Sequence, residues 1–197
     1  MTFECAVTLS VSLACYLGAS LLFQGAFFLQ KPDLGRWGQR LLVGGMAIHA
    51  GGIALHLAIS RLSPLTNMLT VISLFVIGFL LAGLLLERYT RVRHLTLLLA
   101  PLAFLGLLYP VLMPVQFDQA ESLLLHYPWL GVHVALTLVG HVGFALAFCA
   151  AVVYLWQTYF LKRGRLNRYL PALDTAAAAT FSSAGAGFFF FTLGLLM

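Results

Sequence analysis

Residues 129–161 read WLGVHVALTLVGHVGFALAFCAAVVYLWQTYFL, with no Asp, Glu, Lys or Arg between Trp129 and Leu161. An uncharged apolar stretch of about 18 residues or more is a candidate membrane helix, and this one is long enough to cross with tilt or to extend beyond the bilayer. The basic cluster Lys162, Arg163, Arg165 and Arg168 follows it at once. Inside the run sit two histidines, His133 and His141. An ionisable side chain within a membrane span is costly, so each is a functional-site hypothesis.

The same reading extends in both directions. Apolar segments run approximately over 5–30, 41–60, 67–87, 94–115, 129–161 and 173–197. The chain of 197 residues is 61% hydrophobic and 9% charged, and its mean hydropathy is +0.97. Soluble domains carry roughly a quarter charged residues. The expected fold is therefore all-α: a single polytopic transmembrane domain, residues 1–197, with about six membrane helices. The N-terminus lacks a basic n-region and its first apolar run is too long for a cleavable signal's h-region. Cys5, Cys15 and Cys149 form no CxxC or CxxCH motif and read as small buried hydrophobes.

The net charge of +5 is distributed as membrane orientation requires, and not as a nucleic-acid surface. Ten of the eleven Lys and Arg residues lie in the first, third and fifth connectors. The second connector holds only Arg61, and the fourth holds Asp118 and Glu121 without a basic residue. The positive-inside bias then places connectors one, three and five in the cytoplasm and both termini outside.

That topology gives the histidines depths. His49 and His56 lie in the second span, His49 near mid-membrane and His56 nearer the outer surface. In the fifth span His133 lies about one turn below the outer surface and His141 near the middle. Spacings of seven and eight residues predict that each pair shares a helix face. Gly44, Gly45, Ala47, Ala50, Gly51 and Gly52 flank His49, while Gly140 and Gly143 flank His141. Such small residues allow close helix packing with imidazoles hydrogen-bonded across the interface. They equally leave room for a flat macrocycle beside a ligand.

Haem suits four imidazoles among Leu, Val and Phe. Zinc would call for Asp, Glu or clustered Cys ligands as well, and a proton carrier for intramembrane carboxylates; the spans offer no carboxylate well inside and no paired cysteines. Stations seven to eight residues apart are only about 11–12 Å apart along a helix, which favours one haem, or one that moves, over two. His94 closes a basic cluster at the interface, and His126 precedes the interfacial Tyr127 and Trp129. No catalytic triad, paired carboxylates or phosphate-cradling glycine loop is present, so no catalytic chemistry is expected.

Several stretches resemble the cytochrome c assembly protein family of the CcsA and HemX-like type. From His49 to Asn67, HAGGIALHLAISRLSPLTN is similar to the family's membrane histidine followed by a Pro-Leu-Ser-Asn-like turn, here Pro64-Leu65-Thr66-Asn67. Tyr127 to Val134 resembles its Trp-Leu-x-x-His-Val segment, Ala145–Leu161 continues the likeness, and Leu170-Pro171-Ala172-Leu173-Asp174 resembles the lead-in to the next span. The likeness covers about residues 40–197.

The resemblance implies haem handling for attachment to apocytochrome c, with His49 as the membrane ligand and His133 as the outer one. His56 and His141 are cofactor-binding candidates on spacing alone. The implied cofactor is non-covalent haem b, its iron held only by these histidines. The implied partners are the bilayer, haem and a membrane subunit of an assembly complex; the implied location is a bacterial inner (plasma) membrane. Assembly members carry a WGxxWxWD segment after the last span, and the chain stops at Phe188–Met197, where that segment would begin. HemX-like members, linked to tetrapyrrole metabolism, lack it, so a regulatory or structural subunit is an alternative. Another is a small-solute or proton carrier using His56 and His141 as a relay.

Overall fold

The structure is a computed structural model and describes residues 3–60, 65, 68–90, 94–112, 128–164 and 170–197. The described residues form six helices and no strand: α1 Phe3–Leu29, α2 Pro32–Ser60, α3 Met68–Thr90, α4 Thr96–Leu112, α5 Pro128–Lys162 and α6 Leu173–Leu195. Five are long and apolar enough to cross a membrane, and α4 is a shorter apolar helix. The chain is a multi-pass membrane helix bundle.

Local chemistry sets the helix limits. Gln30 adopts φ 56°, the left-handed conformation that ends α1. Pro32 then opens α2, a position where its missing N–H costs nothing. The second helix therefore begins at Pro32, not near residue 41 as hydropathy suggests. Its first turns carry Asp33 and Arg36, paired at 2.6 Å, and are too polar to count as a span. They are helical because their apolar side packs on α1, where Gly38 meets Leu22 and Phe23. At 35 residues, α5 is about 52 Å long, well beyond a bilayer's hydrocarbon core.

Only 17 residues long, α4 spans about 26 Å and contains Pro101 and Pro110. Its interior position sustains it: Leu97, Leu99, Ala100, Ala103 and Leu107 are buried. Glu87, near the end of α3, accepts hydrogen bonds from the Thr96 backbone amide at 3.0 Å and from its hydroxyl at 3.3 Å. A carboxylate here satisfies an amide that has no partner within its own helix and complements the helix dipole.

The bundle has two intimate hairpins, α1–α2 and α5–α6, joined through α3 and α4. Both hairpins are antiparallel: Gly45 lies against Cys15 and Gly52 against Thr8, while Gly143 lies against Gly187 and Gly194 against Thr137. A Cβ built on Gly143 would stand 2.6 Å from Gly187 Cα and 2.7 Å from its nitrogen. Only glycine allows the two backbones to come this close, as membrane interfaces built on small residues do. The third helix packs on α2, α4, α5 and, more lightly, α6, and so stands between the hairpins.

Phe27 of α1 stacks on Trp156 of α5 at 6.2 Å. One cavity is lined by the adjoining ends of α1 and α2, by Glu87 and Arg88 at the end of α3 and by His94, Thr96 and Leu97 at the start of α4. Helix ends at connectors one, three and five thus share one end of the bundle, the end where most of the basic residues lie. The Pro64, Thr66 and Asn67 positions of the expected turn, and Asp118, Glu121, His126 and Tyr127 of the expected outer connector, lie outside the described residues.

Candidate functional site

The α2 histidines face α1. Positions 45, 49, 52 and 56 recur at helical spacing on one side of α2, and His49 and His56 are 0% and 3% exposed. His49 Nδ1 and the Tyr16 hydroxyl are hydrogen-bonded at 3.1 Å, with the rings edge to face at 6.0 Å. Nε2 of His49 is buried and has no hydrogen-bond partner among the described residues. Leaving such an atom unpaired costs about 1–3 kcal/mol.

The glycines beside these rings divide between two roles. A Cβ on Gly45 would meet Cys15 at 2.7 Å, and one on Gly52 would meet Thr8; both are packing residues. Gly44 and Gly51 have nothing within 4 Å, so the space they leave opens away from α1 and not beside the imidazoles.

On α5 the expectation of a shared inward face does not hold. Eight residues along a helix rotate a side chain by about 80°, enough to part the two rings. His133 is half-buried against the end of α6 and donates its Nδ1–H to Gly194 O at 2.6 Å. His141 is exposed on the outer surface of α5, where it donates Nδ1–H to Thr137 O at 2.7 Å and meets the Phe191 ring edge at 5.1 Å. A carbonyl oxygen only accepts, so in both residues Nδ1 carries a proton, and in the neutral ring the lone pair is then on Nε2. This is the tautomer in which a histidine ligates metal through Nε2 while Nδ1 is held by an oriented acceptor.

The two layers expected from depth, His56 with His133 and His49 with His141, do not close into sites within one chain. His49 and His56 belong to the α1–α2 hairpin and His133 and His141 to the α5–α6 hairpin, with α3 between. Among the described residues no three His, Cys, Asp or Glu side chains gather as a metal cluster. Cys5 and Cys149 are buried and all three cysteines are free.

Tyr16 was not legible as part of a site. Its signal was nevertheless present, because a Tyr in the middle of a membrane helix requires a partner for its hydroxyl.

These features define a multi-pass membrane protein with hydrogen-bonded imidazoles in each of its two helical hairpins. The family model described as "Cytochrome C assembly protein" matches residues 62–197, and the chain belongs to the cytochrome c assembly protein family. No curated protein and no solved structure matches it. Membership gives the chain a role in cytochrome c assembly. The match takes in α3 to α6 with His133 and His141, and leaves α1 and α2, with Tyr16, His49 and His56, outside it.

Proposed function

We propose that this protein binds haem b non-covalently in a bacterial inner (plasma) membrane and passes it on during cytochrome c assembly, without catalysing a bond-making step. The observation that carries the reading is the state of His133. Its Nδ1–H is committed to Gly194 O, its ring is fixed against α6, and its Nε2 lone pair remains for an axial bond to iron. The burial of that carbonyl's residue, Gly194, and its close contact with Thr137 hold the acceptor in place.

His49 is the deep station. Its Nδ1 is tied to Tyr16 and its Nε2 lacks a protein partner, the arrangement of a metal-binding imidazole oriented from behind. Because the ring is fully enclosed, haem reaches it only when α1 and α2 part from their neighbours. His141 presents its lone pair on the outer surface, where bare hydrocarbon is a poor setting for an imidazole. We assign its cover to a partner membrane subunit. When bound, haem is the cargo, and the protein contributes axial nitrogens and an apolar surround.

A second reading has support on α2. Gly45 and Gly52 pack α1 tightly against the histidine face, as in a purely structural or regulatory subunit whose imidazoles bond across helices. A relay through His56 and His141 has less support, since these residues sit on helices separated by α3. The absorption spectrum of detergent-purified protein supplemented with haem separates the readings. The haem reading expects a Soret band that weakens in His133→Ala; the structural reading expects none.

A further inference from the structure

At the basic end of the bundle, the adjoining ends of α1 and α2 and of α3 and α4 line a cavity of about 580 Å³. This volume is within the range of small-molecule sites, roughly 300–1,000 Å³. Its inner walls are apolar, from Phe23, Phe27, Leu81, Leu84 and Leu97. Arg36, Arg88, His94 and Gln39 also line it. Cations on an apolar hollow at a membrane surface match an acidic head carried on an apolar body.

Two acidic side chains lie nearby, Asp33 and Glu87, against four basic ones, Lys31, Arg36, Arg40 and Arg88. Glu87 lines the cavity, but its Oε1 is taken up by Thr96 at the start of α4. Asp33 pairs with only one guanidinium nitrogen of Arg36, which leaves other donors free to grip a planar anion. Arg88 is exposed and has no ion pair among the described residues. Lys31 and Arg40 add positive charge at the same end.

We propose that this cavity binds an acidic amphiphile, with Arg36 and Arg88 holding its anionic head and Phe23, Phe27 and Leu84 its apolar part. Two sources share that chemistry: an anionic phospholipid of the adjoining leaflet and the carboxylates of a porphyrin. Basic pockets between membrane helices on the cytoplasmic side suit the first. The site is independent of His49 and His133, since Gln39, its furthest point along α2, is about 15 Å below His49.

Native mass spectrometry of the delipidated full chain tests this, using phosphatidylglycerol and phosphatidylcholine of matched acyl chains. The wild type is expected to retain phosphatidylglycerol at least about tenfold better, and the Arg36→Gln/Arg88→Gln double variant to lose that preference. Both arginines are exposed, so the variant is expected to keep the wild-type melting temperature.

Gly35→Leu provides a second probe. A Cβ there lies 3.7 Å from Ala26 Cβ, an ordinary contact, so the side chain occupies cavity space and lowers retention of either lipid. Displacement of phosphatidylglycerol by protoporphyrin, but not by its dimethyl ester, supports the site and assigns it to porphyrin carboxylates. Failure of both to displace supports the lipid as occupant. Equal retention of the two lipids by wild type, or unchanged preference in the double variant, overturns the proposal. The Soret band reports separately on haem at the histidines.

Discussion

Replacing Gly143 by alanine disturbs a histidine that the substitution does not touch. A Cβ at residue 143 would lie 2.6 Å from Gly187 Cα, whereas ordinary contact begins near 3.4 Å. The obstructing atoms are backbone, so no side chain can rotate away and α5 and α6 must separate by about 0.8 Å. Overpacking of this kind costs about 1–3 kcal/mol. Were the whole hairpin to open by that amount, the 2.6 Å bond from His133 to Gly194 O would lengthen to about 3.4 Å. That is beyond the usual range for N–H···O, so the ring would lose its orientation.

Gly185→Ala is the matched control, because nothing lies within 4 Å of a Cβ there. It also gains up to about 1 kcal/mol of helix propensity. Thermal unfolding in detergent and haem titration followed at the Soret band are read on both variants. Gly143→Ala is expected to melt lower and to bind haem more weakly, while Gly185→Ala matches or exceeds wild type. Equal melting and equal haem binding in the two variants would refute the coupling between helix packing and His133.

Two further perturbations probe the other contacts. Tyr16→Phe removes the hydroxyl at His49 Nδ1 and is expected to lower stability by about 0.6–2 kcal/mol, with a weaker Soret band. Unfolding measured in His49→Leu and in the double variant tests the pairing, since additive losses would show that the two groups do not interact. Glu87→Ala leaves the Thr96 amide at the start of α4 without its acceptor; by analogy with lost helix caps the expected loss is about 0.5–2 kcal/mol. Hydrogen exchange at the start of α4 should quicken in that variant, and unchanged exchange would count against Glu87 as the cap.

How far the sequence determined this picture differs from helix to helix. The third span, 67–87, and the observed Met68–Thr90 nearly coincide because hydropathy changes sharply at both ends. The second span was read from 41, yet the helix starts at Pro32, since hydropathy is blind to an amphipathic start stabilised by packing on α1. The α2 histidines were correctly placed on one face, because seven residues return a side chain nearly to its starting angle. On α5, eight residues do not, and His133 and His141 part company between the α6 interface and the outer surface.

Which helices touch is a tertiary matter that local hydropathy and residue spacing do not report. The position of α3 between the hairpins, and therefore the separation of His49 from His141, had no local signal. Nor did the acceptors that fix the α5 tautomers, since backbone carbonyls such as Gly194 O are invisible to a search for polar side chains.

The central claim concerns Nε2 of His133 and of His49 as separate haem ligands. The most direct test is the Soret band of purified protein after haem supplementation, in wild type, His49→Ala, His133→Ala and the double variant. The account predicts a band in wild type, a partial loss in each single variant and its disappearance in the double variant. A wild-type protein without a Soret band, or a double variant with the wild-type band intact, would contradict it.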